Sequence, residues 1–139
     1  MANAPVSTWS NTRLDPYMDP EDAHENAIQL VASQTYVAGQ VLGEVTASPG
    51  TYGKYASGNS DGTQVPKLLL REACVTDSSG NITGADNLGD TRKDTHAFFS
   101  GTFKCSDLTG LDAAGLTASG WRLISGATVG AANAIVRLG

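Results

Sequence analysis

The chain has 139 residues, enough for one domain with a real core and too few for two of ordinary size. Sixteen glycines and only 17% charged residues favour turns and short strands over long helices, because glycine weakens helix interiors. The net charge is −5. With no basic stripe to neutralise phosphates, no apolar run near the roughly 18 residues that span a bilayer, and no basic-then-apolar leader, the expected partners include no nucleic acid and no membrane.

The charge is unevenly spread. Residues 1–27 hold Asp15, Asp19, Glu21, Asp22 and Glu25 against Arg13 alone, a net of −4, which leaves the remainder of the chain nearly neutral. Residues 1–12 are polar, contain proline and lack periodicity, so they are expected to form a mobile arm. Trp9 stands out there. It is either an anchor for a partner's pocket or a side chain that folds back on its own domain, and Leu14, Tyr17 and Met18 pose the same question. Asp19-Pro20-Glu21-Asp22 reads as a helix start of about two turns, with Asp as N-cap and Pro at the first helical position. Its acids lack the alternating ligand spacing of a calcium loop, so capping explains them and no metal is expected. Ile28 to Ala32 is an apolar strand, followed by Tyr36-Val37 and a turn at Ala38-Gly39.

Val41 to Val45 alternates in strand fashion, and Ser48-Pro49-Gly50-Thr51 has the Pro-then-Gly order of a type II turn. Tyr52 to Ala56 is the returning strand. Ser57 to Thr63 is too rich in glycine and polar residues to bury, so it reads as an exposed loop. Val65 to Val75 is taken as one strand, with Pro66 off the ladder and Leu68-Leu69-Leu70 covered on both faces.

Asp77 to Asn81 is a tight polar turn, and Gly84 to Thr95 a long solvated loop. Asp94, His96 and Ser100 invite a triad reading, but residues two and four apart on a strand do not converge on a substrate, and no nucleophile elbow accompanies them. Ala97 to Cys105 is a strand broken at Ser100-Gly101, with Phe98, Phe99 and Phe103 supplying most of the aromatic core. A short helix capped by Asp107 or Asp112 falls between 107 and 124, Trp121, Leu123 and Ile124 close it onto the sheet, and Ala134 to Leu138 is a terminal strand. Cys74 and Cys105 are either two buried thiols or a disulfide, because their spacing encodes neither metal nor redox chemistry.

The order Val41-Leu42-Gly43-Glu44-Val45, Gly50-Thr51-Tyr52, Tyr55, Gly58, Asp61-Gly62-Thr63, Pro66 and Leu69-Leu70, with Phe98-Phe99-Ser100-Gly101-Thr102-Phe103 later, resembles the head decoration proteins of tailed bacteriophages, the lambda-like capsid decoration family. The likeness covers roughly residues 38 to 138 and consists of glycines and apolar residues, without a chemical signature. It implies a homotrimer on the outer surface of the viral capsid, bound to the major capsid protein at three-fold and quasi-three-fold positions of the expanded head. It also implies an arm that orders on the shell and lends its backbone to a sheet there.

The expected fold is therefore mainly β with one or two short helices, an α+β body, with an arm over residues 1–37 and a β-rich domain over residues 38–139. The residues expected to meet the shell are Trp9, Leu14, Tyr17, Ile28 and Leu30; the expected core is Val41, Val45, Leu69, Phe99, Phe103 and Trp121. No catalytic residue, cofactor or metal is expected, and the protein is read as a non-enzyme. The rival class is a surface-displayed module binding carbohydrate or host, for which Trp9, Tyr17, Tyr52, Tyr55 and Trp121 are the candidate stacking groups.

Overall fold

A computed structural model describes residues 13–17, 20–84 and 91–139 of the chain. It is mainly β, as composition suggested. The strands are β1 (His24–Leu30), β2 (Thr35–Tyr36), β3 (Val41–Glu44), β4 (Thr51–Lys54), β5 (Leu68–Leu70), β6 (Cys74–Thr76), β7 (Ile82–Gly84), β8 (Thr91–Arg92), β9 (Thr95–Lys104), β10 (Arg122–Ser125) and β11 (Ile135–Leu138). One α-helix, α1, spans Ala113–Ser119.

Two sheets share the strands. The larger runs β1-β4-β3-β5-β9-β11-β10, and β1 also pairs with β9, so β1, β4, β3, β5 and β9 close into a ring. Closure removes the open edges that β1 and β9 would otherwise leave. The smaller sheet runs β2-β6-β7-β8.

Alternation along the ring's strands divides the interior in two. Ile28, Leu30, Leu42, Leu68, Leu70 and Ala97 converge from around the ring, and Tyr36, Cys74 and Ile82 of the smaller sheet join the same cluster. Val41, Leu69 and Phe98 are neighbours on the opposite face, where Phe103, Trp121, Val136 and Leu138 pack with them. Leu68-Leu69-Leu70 thus serves both cores, which explains a run without alternation.

Local chemistry sets the turns as read. The Thr51 N–H donates to the Ser48 carbonyl with Gly50 at φ +90°, the left-handed value a type II turn requires after Pro49. Asp77 Oδ1 accepts from the N–H groups of Ser79 and Asn81 and holds the next turn.

Several expectations are corrected. The helix expected at Asp19 is a three-residue 3-10 turn, Pro20–Asp22, because β1 begins at His24 to pair with β9. Val65 to Val75 is two strands in two sheets: β5 stays in the ring, and the chain leaves it at Arg71 to start β6 at Cys74. β9 is continuous, and its irregularity is a bulge at Phe99, opposite His24 and Glu25. The bulge turns Phe99 outward, 41% exposed, so it is not core; Phe98 takes that place at 4%. Val45, expected inside, lies just past the end of β3 and is half-buried. Ile124 does not close onto the sheet and is 52% exposed.

The line drawn between residues 37 and 38 also moves. β1 and β2 are integral to the two sheets, so residues 24–36 belong to the body.

Candidate interaction surface

The first described residues are stitched to the body at several points. The Leu14 N–H donates to the Arg71 carbonyl and the Tyr17 N–H to the Thr102 carbonyl, each at 2.7 Å. Arg13 forms a bridge with Glu72, Lys104 Nζ lies 5.1 Å above the Tyr17 ring, and Asp22 pairs with Arg137. Arg71 reaches both carboxylate oxygens of Glu25, at 2.8 and 3.1 Å. Arg71 also lies 3.7 Å from a Glu72 carboxylate oxygen, so Arg13 runs beside a small group of ion pairs. Phe99 stands nearby, stacked on His24 with ring centroids 6.1 Å apart.

Of the residues expected to meet a shell, Trp9 lies outside the described residues. Leu14, Ile28 and Leu30 are corrected: they are buried in the protein's own core at 3%, 5% and 3% exposure, so they have no surface to offer. Tyr17 is half-buried beneath Lys104. Val41, Leu69, Phe103 and Trp121 are buried, with Trp121 the most exposed of them at 9%. Burial of Leu14 could have been suspected from its place as a lone aliphatic residue in a polar stretch, although nothing local names its partner.

His96 is exposed, and the Ser100 hydroxyl donates to the Asp22 carbonyl, so the two do not form a nucleophile and base. Cys74 and Cys105 are free and buried in different clusters. Burial pushes the Cys74 thiol up to about 11 and raises that of Cys105, which keeps both protonated at neutral pH. Among the described residues no three His, Cys, Asp or Glu side chains gather as a metal set. A polar cleft of about 180 Å³ lies between Val31, Tyr36, Lys54, Asp61 and Thr63. Its groups are engaged with one another: Lys54 Nζ sits 5.6 Å from the Tyr36 ring centroid, and Asp61 accepts from the Thr63 N–H and hydroxyl.

Asp112 is the helix cap, one of the two expected, but its contact with Tyr55 escaped sequence reasoning. Asp112 Oδ1 accepts from the Gly115 N–H at 2.7 Å as the N-cap of α1, and from the Tyr55 hydroxyl at 2.6 Å. Gly115 leaves room for the ring, since a Cβ there would lie 2.9 Å from Tyr55. The Tyr55 hydrogen bond, with that of Gly115, holds the Asp112 carboxyl below its ordinary value; burial, helped by Asp112, pushes Tyr55 up to about 12.

The signs follow from linkage. A depressed carboxyl stabilises the fold above its ordinary pKa of 3.8, and that contribution is lost as pH falls below it. A raised phenol contributes below its ordinary 10.0, and the contribution is lost as pH climbs toward about 12. Asp112→Asn keeps a capping side chain but removes the charge. The variant is expected to show a shallower loss of stability below pH 3.8 and a lower Tyr55 midpoint in a tyrosinate absorbance titration; an unchanged midpoint would contradict the contact.

No family model, no curated protein and no solved structure matches this chain.

Proposed function

We propose that this chain is a capsid decoration protein. It binds the exterior of the expanded head of a tailed bacteriophage as a homotrimer, at three-fold and quasi-three-fold sites, and stabilises the head against internal DNA pressure. The observation that supports this reading most is what the family-like residues do together. Gly43 lies against the Thr63 backbone, where a Cβ would sit 2.6 Å from Thr63 Cα. Gly62, at φ +106°, lies equally tight against the Glu44 carbonyl. Two of the glycines that carry the resemblance thus sit in one close backbone contact between β3 and the 61–65 segment, which is what supports the reading.

The mechanism is clamping by mass action. A subunit that binds only the expanded, intact lattice lowers that state's free energy, so disassembly must first release it. Three linked copies engage neighbouring shell subunits at high effective concentration, and modest contacts add into a firm hold. The gripping element is the chain ahead of Arg13, with Trp9 as its one large anchor. Its target is the major capsid protein, which places the protein on the outer surface of the virion. In this reading it is not an enzyme and takes no cofactor.

The carbohydrate-binding reading loses two of its five aromatic candidates to the core, while Tyr17 is half-buried and Trp9 lies outside the described residues. Tyr55 and Trp121 are buried and Tyr52 is half-buried.

Removing residues 2–12 tests the arm, since β1 starts only at His24. The truncated protein is expected to keep its far-UV spectrum and oligomeric mass while its affinity for expanded heads falls by about 100-fold or more. A truncated protein that still protects heads from heat would refute the arm's role.

A further inference from the structure

We propose that the polar cleft between β4, the 59–63 loop and the β1–β2 connection binds a small free amino acid, whose carboxylate meets Lys54 and whose ammonium meets Asp61. The inference is independent of the decoration reading. The cleft measures about 180 Å³, and a cavity of roughly 150 Å³ admits benzene, so the space suits a ligand of about five to seven non-hydrogen atoms.

The loop that carries Asp61 is built, although its composition reads as exposed and irregular. Thr63 is 2% exposed; its hydroxyl accepts from Asn59 Nδ2 at 2.8 Å and donates to Asp61 Oδ1, and its N–H donates to the same oxygen at 3.1 Å. The Thr46 N–H donates to the Asp61 carbonyl at 2.9 Å, and Asn59 Nδ2 also reaches the Lys54 carbonyl at 3.3 Å. The Thr63 bonds hold the Asp61 carboxyl below its ordinary value, so it is ionised at neutral pH. Its other oxygen, Oδ2, holds no hydrogen bond among the described residues. The cation is placed as well. Lys54 Nζ lies 5.6 Å from the centroid of the Tyr36 ring, which is 1% exposed and tied through its hydroxyl to the Val31 carbonyl at 3.0 Å.

These two charges do not neutralise each other. Among the described residues no carboxylate lies within ion-pair distance of Lys54, and no cation within that distance of Asp61. The class of ligand follows from the pair. An anion is drawn to Lys54 and repelled by Asp61, and a cation meets the reverse, whereas a molecule of both signs gains at each end. A sugar finds no stacking face there, because the Tyr36 ring is buried beneath Lys54.

Chemical-shift titration of the isotope-labelled protein with glycine, β-alanine and γ-aminobutyrate tests the proposal, with acetate and methylammonium as single-charge controls. At least one amino acid is expected to move the amide signals of Gly53, Asn59 and Gly62 saturably, at concentrations about 10-fold or more below those at which either control does. Lys54→Met and Asp61→Asn are each expected to weaken that binding by about 10-fold or more with an unchanged far-UV spectrum. The Lys54 ammonium holds none of the loop's hydrogen bonds, so Lys54→Met carries the test should Asp61→Asn disturb the loop. The proposal is overturned if no amino acid moves those signals, if acetate or methylammonium matches the amino acids, or if either folded variant binds them as wild type does.

Discussion

Phe103→Ala is expected to lose roughly 3–5 kcal/mol of stability, the range for truncating a large buried aromatic ring. Phe103 is fully buried, pairs with Val136 of β11, and packs against Phe98 with ring centroids 5.1 Å apart. It lies where the ring meets the β11–β10 extension, so the cavity would open between two parts that cannot easily collapse onto each other. For a domain of this size the loss corresponds to roughly 10 °C or more in Tm. Phe99→Ala is the matched control. Its ring is half in water, and the variant is expected to change stability by less than about 1 kcal/mol. Denaturant melts of the two variants would separate them. Equal losses would mean that the bulge, and the face assignment of all of β9 with it, is wrong.

The second large effect is expected from the smallest change, Gly43→Ala. An added Cβ would stand 2.6 Å from Thr63 Cα, 2.7 Å from the Val65 carbonyl oxygen and 2.8 Å from that of Thr63. All three are backbone atoms, so no rotamer change relieves the clash, and β3 must separate from the 62–65 segment. Overpacking of this kind costs about 1–3 kcal/mol or more, and the separation would also disturb Leu42, next along β3 and fully buried. Gly58→Ala supplies the contrast, since nothing lies within 4 Å of the added carbon. That variant is expected to be neutral or slightly stabilising through the unfolded chain. A Gly43→Ala protein that melts like wild type would show that β3 and the 62–65 segment are not held this close.

What was legible in the sequence is what short-range chemistry encodes. Pro49-Gly50 dictates its own turn, the Asp77 carboxylate caps its own loop, and Asp112 caps a helix that Gly120 ends at φ +76°. The rest depends on partners far along the chain. Phe98 and Phe99 are identical and adjacent, and only the pairing with His24 and Glu25 decides which faces inward. Leu68-Leu69-Leu70 announces burial, but its two cores belong to strands distant in sequence. Leu14, Ile28 and Leu30 are expected to be contact residues because they fall within the arm, residues 1–37, that the resemblance implies. They turn out to be core because β1 closes the ring and Leu14 bonds to Arg71.

The account stands or falls on binding to the expanded shell. Purified protein titrated against expanded and unexpanded heads of its phage, with bound copies counted after sedimentation, is expected to saturate on expanded heads in multiples of three and to leave unexpanded heads bare. Equal binding to both, or none to either, would contradict it.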